Sequence, residues 1–143
     1  MARIALATSA GAEARILHVA ALRRADETGA DLSVVHVISG SDYEAQPEEL
    51  QDAIRDETEW LIRTMLHLAA DRAGVDASNI TIHVRTGDVT AELVDFARST
   101  RPDSVMVGIP RKNDHSEFTA ASFRELLGQF QASSIKVEKI DTN

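Results

Sequence analysis

Leu32-Ser33-Val34-Val35-His36-Val37-Ile38 is a short run rich in β-branched side chains. Such side chains suit a pleated surface and lose freedom in a helix, so the run reads as a strand. On its N-terminal side the period changes. From Ala12 to Thr28, Ile16, Leu17, Ala20 and Ala21 fall on one helical face, with Arg15, Arg23 and Arg24 left to solvent. Gly29 follows as a helix stop. Further back, residues 3–8 (Arg-Ile-Ala-Leu-Ala-Thr) form an apolar run closed by Ser9-Ala10-Gly11, which suits a buried strand. On the C-terminal side, residues 39–47 are a loop by composition. A long helix follows Pro47, with Leu50, Ile54, Leu61, Met65 and Leu68 at helical spacing, and is expected to end near Gly74.

The alternation continues to the end of the chain. Residues 80–85 (Ile-Thr-Ile-His-Val-Arg) alternate with period two and predict a third strand, less buried than the others. After Gly87, Asp88 or Thr90 caps a helix running to Thr100, with Leu93, Val94 and Ala97 inward. Ser104–Gly108 predicts a fourth strand. A polar loop runs from Ile109 to about Glu117, and a fourth helix carries Phe118, Phe123, Leu126, Leu127 and Phe130. Ile135–Ile140 predicts a fifth strand. Strands alternating with helices imply a parallel sheet covered on both faces, joined by right-handed crossovers. The 143 residues suit one domain, 1–143, large enough for a true core.

Composition narrows the function. The net charge is −8, from 23 acids against 15 bases. That sign opposes binding to nucleic acid, where phosphates are neutralised by cations. The absence of cysteine excludes disulfides, thiolate metal sites and thiol nucleophiles, and fits a reducing compartment. No apolar run is long enough to cross a membrane as a helix, and the N-terminus lacks a signal-peptide pattern. A cytoplasmic protein is expected.

In an open doubly wound sheet, ligands bind beyond the carboxyl ends of the strands, where strand order reverses. Two segments lie there. Thr8-Ser9-Ala10-Gly11 is built of small residues and leads into a helix, whose N-terminus favours an anion. The loop from Gly108 through His115 brings Arg111 and Lys112 to the same mouth in an acidic protein. The plainer alternative is a tight turn and a solvated polar loop.

With these segments in view, the chain resembles the universal stress protein family over nearly its whole length. Leu32–Ile38 is similar to the family's second strand. Gly87-Asp88, the Ala-containing helix after it and Pro102–Gly108 resemble its most recognisable segment. The resemblance implies an open doubly wound five-stranded parallel sheet in the order 3-2-1-4-5 with four helices, Rossmann-like and of the adenine nucleotide alpha-hydrolase type. It also implies a site. Family members that bind ATP carry Gly, two residues, Gly, nine residues, then Gly with Ser or Thr. Here Gly108 and Ser122 match that pattern, whereas Arg111 and Ala121 replace glycines. Ser9 stands where binders have an Asp that holds the nucleoside, and Val37 matches a position that packs on adenine. The candidate binding residues are therefore Thr8, Ser9, Val37, Gly108, Arg111 and Ser122. Glycine lets backbone approach phosphate oxygens, so the departures predict that family-type binding of ATP with Mg is lost and that no cofactor is held. The alternative is a changed ligand, an adenine nucleotide or another anion, held by the Arg111 guanidinium.

Other constellations point less far. The five histidines lack the spacing of a helical metal site and are read as structural, with His115 kept as a ligand contact. No Gly-x-Ser-x-Gly turn is present and no acid–base pair stands out, so no catalytic residue is assigned. Residues 42–59 hold eight acids against Arg55 alone, either a solvated helix start or a docking face for a basic protein. A terminal strand presents unpaired backbone groups at a sheet edge. The family resemblance implies that Ile135–Ile140 pairs with its twin to form a homodimer.

Overall fold

The computed structural model describes residues 2–8, 14–109 and 120–141. Its elements, in chain order, are β1 (Arg3–Ala7), α1 (Ala14–Thr28), β2 (Asp31–Ser39), α2 (Gly40–Glu44), α3 (Glu48–Ala73), β3 (Ile80–Gly87), α4 (Val89–Thr100), β4 (Ser104–Gly108), α5 (Ala120–Ala132) and β5 (Val137–Ile140). The sheet order is β3-β2-β1-β4-β5, with every neighbouring pair parallel. This is the doubly wound order expected, and the four long helices are those the periodicity marks.

Period two in the strands divides the core. Ile4, Leu6, Leu32, Val34 and Met106 face α1 and α3, where they meet Leu17, Ala21, Leu22, Ile62, Leu66 and Ala69. Ala5, Val35, Val37, Val105 and Val107 face α4 and α5, against Leu93, Phe96, Phe123, Leu126 and Phe130. Strands buried on both faces are the mark of a parallel sheet clad in helices. The edge strand β3 is only half buried along its length.

The helix ends follow local chemistry. Asp88 caps α4 by accepting a hydrogen bond from the Ala91 N–H at 2.9 Å. Gly74 ends α3 in the left-handed conformation, φ 69°, which costs glycine nothing.

Four details differ from the sequence reading. The segment 39–47 contains a single helical turn, α2, with Tyr43 buried. The inner face of α1 is Ala14, Leu17, His18, Ala21 and Leu22, while Ile16 is exposed. The inner face of α3 is Ile62, Leu66, Ala69 and Ala70, whereas Leu50, Leu61 and Leu68 are exposed. α3 carries two apolar stripes, and the one with alanines allows close approach to α1. Finally, β5 begins at Val137, because the Ile135 N–H donates to Phe130 O at 2.9 Å in the turn that ends α5.

Candidate functional site

β1 is the central strand, and the chain winds outward from it in both directions. The register places Ala7 opposite Val35 of β2 and Val107 of β4. Thr8 and Gly108 therefore leave the sheet side by side at its carboxyl edge. The Thr8 N–H donates to Val35 O and the Ile109 N–H to Ile140 O, both at 2.9 Å, so both exits stay tethered to neighbouring strands. β2 runs four residues beyond Val35, to Ser39, and carries Val37 toward the same edge, buried on the α4–α5 side. Strand order reverses between β1 and β4, which is where a ligand cleft forms in this architecture.

Of the six candidate binding residues, Thr8, Val37 and Gly108 are thus brought together. Ser122 sits in the first turn of α5, half buried, beside Phe123, which packs in the same cluster as Val37 and Val107. Its neighbour Ala121 is exposed in that turn. Ser9 and Arg111 lie outside the described residues, as does His115.

Behind the mouth lies a contact that sequence reasoning missed. His18 is fully buried, with Nε2 2.6 Å from Thr8 Oγ1. Its Nδ1 has no hydrogen-bond partner among the described residues. Burial pushes the imidazole pKa down to about 4, so the ring is neutral near pH 7. On the other strand, His36 Nδ1 lies 2.9 Å from Thr8 O. A carbonyl can only accept, so His36 Nδ1 carries the proton and donates it. Thr8 is therefore held by its backbone and by its side chain. Only the phase of α1 could have announced the His18 contact, and the periodicity placed that face one residue away.

Elsewhere, charged groups serve the frame. Arg85 reaches Asp95 at 2.6 Å and Glu92 at 3.4 Å, with its guanidinium 5.3 Å from the Phe96 ring, and ties β3 to α4. Arg24 of α1 meets Glu138 of β5 at 2.6 Å. A polar cavity of about 510 Å³, lined by Arg3, Asp31, Arg101 and Asp103 among others, opens at the amino ends of the strands, away from the switch point. No cluster of three or more metal-ligating side chains occurs among the described residues. None of the described helices is long and apolar enough to cross a membrane.

Topology and switch point together define a doubly wound α/β protein of the Rossmann-like class. The family model for the universal stress protein family matches residues 1–125, and the chain belongs to that family. Solved structures similar to it include the universal stress protein UspA from Lactobacillus plantarum, with 18% identity, TM-score 0.73 and coverage of 97% of each chain. A universal stress protein in complex with cAMP has 17% identity and TM-score 0.66, covering 99% of this chain and 98% of the other. A universal stress protein family protein from Arabidopsis thaliana with AMP bound has 15% identity and TM-score 0.57, covering 100% of this chain and 93% of the other. No curated protein matches the chain.

Proposed function

We propose that this chain is a single-domain, cytoplasmic binding and regulatory protein of the stress response, homodimeric through β5, in which the family-type ATP cradle is lost. The observation that carries the reading is Ala121, exposed in the first turn of α5. Nucleotide binders of the family have glycine there. A helix N-terminus offers its N–H groups to phosphate only where backbone can come close. A methyl group at that point stands in the approach. Arg111 replaces a second glycine, and Ser9 replaces an aspartate. A charged hydrogen bond is worth about 1.5–3 kcal/mol, so the loss of the acid alone weakens a nucleoside contact by an order of magnitude or more. The residues present do not fit Mg-ATP held in the family manner, and no residue is assigned to catalysis.

The dimer rests on β5. It is an edge strand: the carbonyl of Lys136, just before it, accepts from the Val105 N–H of β4, and that of Ile140 accepts from the N–H of Ile109, just after β4. Backbone groups of successive residues alternate in direction, so those of Val137 and Lys139 point to the open edge.

The related proteins solved with cAMP and with AMP favour a second reading. In it the same mouth takes a smaller adenine nucleotide or another anion, with Arg111 as the anchor. A thermal-shift titration decides. No shift with millimolar Mg-ATP, AMP or cAMP supports the lost site. A shift with AMP or cAMP that vanishes in Arg111→Ala supports the second reading. A shift with Mg-ATP overturns the first.

A further inference from the structure

The amino edge of the sheet carries charges that the mouth at the opposite edge does not use. Arg3 opens β1 and is paired in register with Asp31, which opens β2. Both are in phase with Ala5 and Val35, so strand alternation turns them to the α4–α5 side. Asp103 stands just before β4, on the other flank of Arg3. The Arg3 N–H donates to Asp103 Oδ2 at 2.7 Å, and the Asp103 N–H donates to Arg3 O at 2.9 Å. Acid, base and acid thus stand side by side across three strands.

The last turn of α4 completes a concavity over them. Ser99, Thr100 and Arg101 line the cavity of about 510 Å³ together with Arg3, Asp31 and Asp103. That volume falls within the range of small-molecule sites. A lining with no apolar side chain selects a small polar ligand over an aliphatic or aromatic one.

Donors and acceptors are divided between the walls. Ser99 Oγ donates to Asp95 O and Thr100 Oγ1 to Phe96 O, both at 2.8 Å. Their protons are committed, so each hydroxyl offers the cavity only lone pairs. Pro102 has no N–H to give the Arg98 carbonyl, and the negative end of the α4 dipole lies at the same lip. With the carboxylates of Asp31 and Asp103, these groups favour a cation. The donors are the guanidiniums of Arg3 and Arg101. Among the described residues, none of these four charged side chains forms an ion pair. Arg101 also holds φ 47° at the C-cap of α4. Glycine takes that left-handed conformation freely, whereas arginine is strained in it. Strain of this kind is kept where a site needs the side chain.

A simple anion here would meet two carboxylates, and a simple cation two guanidiniums. A molecule that carries both charges answers both sets. We propose that this cavity binds a small zwitterion, a free polar amino acid. Its carboxylate lies on the guanidiniums of Arg3 and Arg101, and its ammonium on Asp31, Asp103 and the acceptor lip of α4. The site is separate from the mouth at Thr8 and Gly108 and does not depend on what binds there. Arg3, Arg101 and Asp103 are exposed, so water screens each contact and the affinity is in the millimolar range.

The experiment titrates the isotope-labelled full chain with L-serine, L-glutamine, L-lysine and L-glutamate in turn, read by amide chemical shifts. At least one should give saturable shifts at Arg3, Asp31 and Arg101, while Thr8 and Gly108 stay in place. The N-acetylated and the C-amidated forms of that amino acid, each lacking one charge, should bind about tenfold more weakly. Asp31→Asn and Arg101→Gly should each weaken binding by about the same factor. Arg101→Gly also relieves the strained backbone, so its thermal midpoint should hold or rise while binding falls, which a merely structural role would not give. No saturable shift with any of the four overturns the proposal. An equal response to the acetylated form makes the cavity an anion site, and an equal response to the amide makes it a cation site; either overturns it. Shifts centred on Thr8 and Gly108 overturn it as well, since the ligand then belongs to the opposite mouth.

Discussion

His18 Nε2 lies 2.6 Å from Thr8 Oγ1 in a fully buried contact that joins the first helix to the end of the central strand. Burial holds the ring pKa at about 4, against 6.5 in an unfolded chain. The unfolded state therefore takes up the proton first as pH falls. The sign is that stability is complete above pH 6.5, declines between 6.5 and 4, and levels off below. The loss is about 3 kcal/mol for such a shift. His83 is lowered in the same direction, by burial and by Arg85, and adds to the slope. Urea titrations across that window should show the decline, and His18→Gln should flatten it. An equal slope in the variant refutes the assignment.

Leu61 and Ile62 are adjacent in sequence and opposite in environment. Ile62 is fully buried and Leu61 is not. Ile62→Ala should cost about 2–5 kcal/mol, and Leu61→Ala no more than about 0.5 kcal/mol, by chemical denaturation at low protein concentration. Equal costs would mean that α3 is rotated.

Restoring the family motif tests the lost-cradle reading from the other side. Ser9→Asp, Arg111→Gly and Ala121→Gly together should give a thermal shift with Mg-ATP at concentrations where the parent chain gives none. Ligand at one hundred times its Kd adds about 2.7 kcal/mol. A triple variant that folds and still ignores ATP shows that these side chains are not the obstacle.

Lys139→Pro removes an N–H from the open edge of β5 and leaves its ladder to β4 intact. Light scattering at moderate concentration should give a dimer for the parent chain and 15.6 kDa for the variant. A monomeric parent, or a variant that stays dimeric, places the dimer elsewhere or nowhere.

Element order was legible because period-two and period-3.6 segments alternate from Arg3 to Ile140, with breakers such as Gly29, Gly74 and Pro102 between them, whereas the strand order 3-2-1-4-5 came from the family resemblance. The phase of the helices was harder. On α3, Leu50, Leu61 and Leu68 have the more hydrophobic side chains, yet the sheet and α1 take Ala69 and Ala70, because close packing rewards small residues that a hydrophobicity count undervalues. Legible too was that Thr8, Val37 and Gly108 stand toward the carboxyl ends of neighbouring strands. The His18 contact was not, because it depends on the rotation of α1 by a single residue. The start of β5 was hidden for a similar reason, as the turn after α5 claims the Ile135 amide.

α3 has no buried residue before Ile62, and no side chain caps its start at Pro47. Its C-terminal half is clamped by the core, while its N-terminal half is held mainly by its own backbone. The two halves of one helix thus have different melting costs. The outer half can fray and re-form without disturbing the sheet, so encounters on that surface can remodel the chain while the strand ends stay in place.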